Sequence, residues 1–142
     1  MQSISPETIY RGNSAWEESL PQITKLTKSP LILGRGIQTN NLRNNIFNDL
    51  KNQKLNVNSA NLQFDCCYED ISRVKNIISN NNNDSVIAAG GGKVLDSGKY
   101  IADSLDIPCI TVPLSASTCA GWTALSNIYT CLLYTSPSPR DG

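Results

Sequence analysis

The sequence predicts an α/β fold, a mostly parallel sheet flanked by helices. Three short apolar runs, Leu31-Ile32-Leu33, Val86-Ile87-Ala88-Ala89 and Cys109-Ile110-Thr111-Val112, read as strands buried on both faces. Segments with apolar residues at helical spacing separate them, and the links are short. Parallel strands need crossover connections, which such helices supply.

Each element can be justified in order. Ser14-Ala15-Trp16-Glu17 carries a capping-box signature, with Ser as N-cap and Glu three residues on. It opens a helix bearing Trp16, Leu20, Ile23 and Leu26, in which Pro21 predicts a kink or an early end. Lys28-Ser29-Pro30 leads into the Leu31-Ile32-Leu33 strand, which the turn Gly34-Arg35-Gly36 closes. Leu42, Ile46 and Leu50 recur at every fourth position and predict a helix over residues 39–52. Leu62-Gln63-Phe64 is a weaker strand candidate. A helix over residues 69–80 follows, with Ile71, Val74, Ile77 and Ile78 on one face, stopped by a run of four Asn and by Asp84. The strand at Val86 runs into Gly90-Gly91-Gly92-Lys93. Val94, Leu95, Gly98, Ile101, Ala102 and Leu105 then mark one helical face, and in the first turns of the same helix Asp96 and Lys99 are spaced for an ion pair on a solvated face. Asp106-Ile107-Pro108 connects to the Cys109 strand, ended by Pro113, and a further helix is expected to begin near Gly121.

Composition narrows the function. The 142 residues suit one domain. The chain contains no histidine, which excludes Ser-His-Asp and Cys-His catalysis and any imidazole-based metal site within it. Twelve basic residues balance twelve acidic ones, so neither a nucleic-acid surface nor a polybasic membrane contact is expected. The longest apolar run is far too short to span a bilayer, and the N-terminus lacks a signal peptide's basic start and apolar core. The cytoplasm is the expected location. The five cysteines, Cys66, Cys67, Cys109, Cys119 and Cys131, form no Cys-x-x-Cys pair, and Cys109 is expected to be a buried apolar thiol.

The last twelve residues, Cys131 to Gly142, contain no Asn, Ile or Lys, although the preceding chain is rich in all three. They resemble a transposon-end adapter from sequencing-library preparation, translated in one frame. The expected organisation is therefore a domain over residues 1–130 and a non-native adapter-derived tail over residues 131–142, with the natural protein continuing past Thr130.

The chemistry-bearing signal is Gly90-Gly91-Gly92-Lys93 between a buried strand and a helix. Glycines there let a phosphate approach the backbone, and the helix N-terminus adds N–H donors and a positive dipole end. Ile87 stands where a P-loop requires its first glycine, and Val94 where it requires Ser or Thr; the contiguous glycines also differ from Gly-x-Gly-x-x-Gly. A tight turn without a ligand is the plain alternative. The hydroxyl-rich stretch from Pro113 to Ser126 follows the last strand, at the sheet edge where open parallel sheets bind ligands.

Taken together, Gly90-Gly91-Gly92-Lys93-Val94-Leu95-Asp96-Ser97-Gly98-Lys99, Val112-Pro113, Ala116-Ser117-Thr118 and Ala124-Leu125-Ser126-Asn127-Ile128-Tyr129-Thr130 resemble glycerol dehydrogenases. These belong to the superfamily of iron-containing alcohol dehydrogenases and dehydroquinate synthase-like enzymes. Tyr10-Arg11-Gly12 and the strand from Leu31 to Gly34 also look like that family's start, so the resemblance covers residues from about 7 to 130. It implies a Rossmann-like N-terminal nucleotide-binding domain, truncated before a C-terminal helical domain that supplies the metal ligands. The implied activity is NAD- or NADP-dependent oxidation of an alcohol or polyol, with a divalent metal, Zn or Fe, held outside this chain. No catalytic or metal-ligating residue is then expected here, and the chain alone is expected to be inactive. Self-association of the full-length protein stays open.

Carried over by position, Gly91, Gly92, Lys93, Val94 and Leu95 would cradle the pyrophosphate. Leu114, Ser115, Ala116 and Ser117 would approach the dinucleotide, with Thr123, Leu125 and Tyr129. Arg35 falls where the family commonly has an acidic residue holding the adenosine ribose; arginine accommodates a 2′-phosphate, and an exposed loop Arg is the alternative. Cys119 stands where glycerol dehydrogenases carry a substrate-contacting aspartate. A thiol accepts hydrogen bonds more weakly than a carboxylate, which weighs against glycerol itself; an inert loop cysteine is the alternative. Other functions open at this stage are a glycerol-1-phosphate dehydrogenase-like or dehydroquinate synthase-like enzyme and a non-catalytic nucleotide-binding module.

Overall fold

The computed structural model describes residues 5–11, 15–37, 39–63, 68–114 and 127–132. In chain order the elements are β1 (Ser5–Arg11), α1 (Ala15–Leu26), β2 (Pro30–Gly34), α2 (Asn40–Asn52), β3 (Asn58–Asn61), α3 (Tyr68–Asn81), β4 (Ser85–Gly90), α4 (Gly92–Leu105), β5 (Cys109–Pro113) and β6 (Asn127–Leu132). They form one sheet in the order β1-β6-β5-β4-β2-β3. The pairs β3–β2, β2–β4 and β4–β5 are parallel, while β5–β6 and β6–β1 are antiparallel. The expected mostly parallel, helix-flanked sheet is therefore present, with an antiparallel margin.

Strand alternation divides the apolar residues into two cores. Ile32, Ile87, Ala89, Ile110 and Val112 face Trp16 and Ile23 of α1 and Leu42, Ile46 and Leu50 of α2. Leu31, Leu33, Val86, Ala88 and Cys109 face Ile71, Val74 and Ile78 of α3 and Val94, Ile101 and Ala102 of α4. Cys109 is a buried free thiol, as its apolar neighbours predict. The chain leaves β2 through α2 on one face to reach β3, then returns over β2 through α3 on the other face to reach β4. Right-handed crossovers running in opposite directions demand this change of face.

Several expectations need correction. Pro21 does not end α1, which continues through it to Leu26. The third strand is Asn58–Asn61 and not Leu62-Gln63-Phe64. As an edge strand it needs only one buried residue, Ala60, so it carries no apolar run. Leu62 follows it, buried beneath its end, with its amide donating to the carbonyl of Gly34 at 2.8 Å. Asp96 and Lys99 form no ion pair; among the described residues the i, i+3 pair is Arg73 with Asp70, at 3.0 Å. The region expected to be helical from Gly121 lies partly outside the described residues, and from Asn127 onward it is strand β6. That strand runs through Leu132, across the boundary at residue 130 that composition suggests.

Candidate functional site

Because α2 and α4 leave the sheet on opposite faces, the loops following β2 and β4 diverge. Their divergence opens a crevice at the carboxyl edge, the place where doubly wound sheets bind ligands. A cleft of about 340 Å³ occupies this point, lined by Arg35, Gly36, Gly91, Gly92, Lys93 and Val94. Two signals far apart in the sequence, the arginine after the first parallel strand and the glycine turn, thus form its two walls.

The glycine wall is built by helix geometry. Gly91 is the N-cap of α4 in an extended conformation, and no side chain caps the helix. The first helical bond runs from the Leu95 amide to the Gly91 carbonyl at 3.0 Å, so the amides of Gly92 and Val94 precede the ladder. A Cβ added to Gly92 would meet nothing within 4 Å, which leaves the backbone open to a ligand. Gly91, Gly92 and Lys93 are exposed, whereas Val94 is buried and anchors the turn to the α3/α4 core. The Gly90 carbonyl accepts from the Leu114 amide at 2.8 Å, tying the exit of β5 to the turn. Open donors, a positive dipole end and a lysine on one rim suit an anion of phosphate type.

Not every expected residue lines this cleft. Leu95 is half-buried against the α3/α4 core, and Leu114 is buried in the α1/α2 core. Ser115, Ala116, Ser117, Cys119, Thr123 and Leu125 lie outside the described residues. Tyr129 lies on β6, in register with Thr111 of β5 and Ile9 of β1. Lys93 also borders a larger cavity, about 560 Å³, between α3 and α4, whose walls include Tyr68, Lys75, Asp96 and Tyr100. The smaller cleft has the stronger chemical case, because backbone donors and two loops converge on it.

One residue was not anticipated. Arg43, on the first turn of α2, is only 5% exposed. Its Nη2 donates to the Gly36 carbonyl at 2.7 Å, its Nη1 donates to the Thr39 hydroxyl, and Nη1 also stands 3.5 Å from the carbonyl of Ala89. Asp70 braces the loop after β3 in a comparable way, accepting from the Gln63 amide at 3.0 Å while fully buried. Among the described residues no group of three or more His, Cys, Asp or Glu side chains is placed to hold a metal ion.

Comparison with known proteins agrees with this fold. The family model described as iron-containing alcohol dehydrogenase matches residues 6–132. An uncharacterized oxidoreductase of Synechocystis sp. is 32% identical over 128 residues, covering 89% of this chain and 32% of the relative. Glycerol dehydrogenase 1 of Schizosaccharomyces pombe is 30% identical over 127 residues, covering 89% of this chain and 28% of the relative. This chain thus spans about a third of the length of these relatives. Among solved structures, a glycerol dehydrogenase from Schizosaccharomyces pombe superposes with a TM-score of 0.63 at 23% identity, over 72% of this chain and 26% of that one. A maleylacetate reductase from Agrobacterium tumefaciens gives 0.62 at 16%, over 84% and 35%. At such identities the two structures speak for the fold alone.

Proposed function

The chain belongs to the iron-containing alcohol dehydrogenase family, and on that premise we propose that it is the dinucleotide-binding portion of an NAD(P)-dependent alcohol or polyol dehydrogenase. The observation that carries the proposal is the cleft at the divergence of β2 and β4, with Arg35 on one wall and the amides before Leu95 on the other. The pyrophosphate would lie against Gly91, Gly92, Lys93 and Val94. Leu95 and Leu114 would support it from behind, and residues 115–117, Thr123, Leu125 and Tyr129 would flank the dinucleotide. When bound, the nicotinamide would carry hydride from or to the substrate carbon. This chain's own role would be to hold and orient the cofactor. Metal ligands would come from sequence beyond residues 1–130, the tail over residues 131–142 being adapter-derived. Cys119 would border an alcohol substrate other than glycerol, and the enzyme would work in the cytoplasm.

Arg35 supplies the test. A guanidinium on the cleft wall pairs with a 2′-phosphate, whereas the acid common at such positions binds the ribose hydroxyls. Titration of the full-length protein with NADPH and NADH is expected to give tighter binding of NADPH. Arg35→Asp should weaken NADPH binding by roughly tenfold or more, the worth of one charge-assisted contact. A wild-type preference for NADH would remove the 2′-phosphate assignment while leaving the glycine cradle standing.

A further inference from the structure

A buried guanidinium needs a reason. Arginine is almost never fully buried unless paired, and an apolar side chain would fill the same space without desolvating a charge. What Arg43 offers is a rigid planar fork able to hold several acceptors at once. Its hydrogen bonds within the described residues include loop-forming ones. The Gly36 carbonyl and the Thr39 hydroxyl both belong to the turn between β2 and α2, and the nearby Ala89 carbonyl lies at the end of β4.

The surrounding sequence is shaped to this side chain. A Cβ on Gly34 would overlap the Nε and Cδ of Arg43, so glycine there clears the path of the guanidinium. Gly36 takes a φ of 83°, a left-handed conformation that glycine adopts without strain. Thr39 supplies both the N-cap position of α2 and one of the acceptors. Gly34, Gly36, Thr39 and Arg43 therefore make a single clasp, and Arg35 is held inside it.

We propose that Arg43 is a positioning residue of the cofactor cleft. Its guanidinium fixes the turn after β2 against the end of β4 and so sets the spacing between the Arg35–Gly36 wall and the glycine wall. This rests on the dinucleotide reading above, but it assigns the cleft's geometry to a side chain outside its lining. Hydrogen bonds weaken steeply when donor and acceptor are misaligned, so a displaced wall is read as a loss of dinucleotide affinity.

The test uses the full-length protein and two variants that disturb the clasp from opposite sides. Arg43→Lys keeps the charge but removes the fork; Gly34→Ala keeps the arginine and displaces it. Dissociation constants for NADH and NADPH, KM and kcat, and the thermal midpoint are measured for each. Both variants are expected to raise the Kd and KM for the dinucleotide by roughly tenfold or more, the worth of a weakened charge-assisted contact to the pyrophosphate. Saturated kcat and the KM for the alcohol should stay within about twofold of wild type. A lower thermal midpoint with unchanged Kd, read well below that midpoint, would make Arg43 a structural residue only and overturn the proposal. If Arg43→Lys does not fold, unchanged binding by Gly34→Ala overturns it equally. A wild-type protein that binds neither dinucleotide sinks the cofactor reading itself, whereas wild-type binding matched by both variants sinks only the role of Arg43.

Discussion

Asp84 illustrates how one side chain ties distant segments at the sheet's amino edge. It accepts hydrogen bonds from the Thr27 hydroxyl and from the amides of Lys28 at 2.9 Å and Ser29 at 3.1 Å. Burial pushes its carboxyl up, but these bonds outweigh burial and hold it below the ordinary aspartate range. A depressed carboxyl contributes stability that is full above its unfolded value, near pH ~4, and is lost as pH falls through the folded value. Denaturant midpoints should therefore drop from pH 5 toward pH 3 in wild type and drop less in Asp84→Asn. At pH 7 that variant should be less stable by about 1 kcal/mol, the worth of a hydrogen bond. Residues of this kind were only partly legible. Gly91, Gly92 and Arg35 announce themselves because glycine turns and their neighbours have local signatures. Arg43 does not, since it sits beside Leu42 in a helix whose periodicity assigns charged residues to solvent. Its burial depends on the missing Cβ of Gly34, a contact that no spacing rule encodes.

Among the elements, α1 holds a proline at an exposed interior position and yet continues without a break. Pro21 removes the donor to the carbonyl four residues earlier and crowds it. The helix persists because Trp16 and Ile23 are buried against the sheet, and because the Trp16 indole N–H donates to Asp49 of α2 at 2.7 Å. Packing overrides propensity here. Pro21→Ala should raise the urea midpoint, stabilising by about 1–3 kcal/mol; a fall would mean that the proline's rigidity matters more than its lost bond. The interior strands β2, β4 and β5 were legible since burial on both faces requires continuous apolar residues. The margins were not: β3 spells Asn-Ser-Ala-Asn, and an edge strand with one buried side chain looks like a loop.

For the whole molecule, binding at the cleft should be linked to stability. A ligand that binds only the folded state at a hundred times its Kd adds about 2.7 kcal/mol. Saturating NADPH should accordingly raise the thermal midpoint of the full-length protein by several degrees, and Arg43→Lys should need more NADPH for the same rise. The α/β class was legible from alternation alone, whereas the antiparallel addition of β6 and β1 depends on a pairing across nearly the whole chain. That pairing has a consequence for biosynthesis. Among the described residues β1 pairs with β6 alone, which separates it from the rest of the sheet. The first strand of this sheet to leave the ribosome must therefore wait for the sixth before it has a partner. During translation β2 to β5 can assemble in sequence, while Ser5–Arg11 remains an unpaired strand, exposed to wrong partners until β6 emerges.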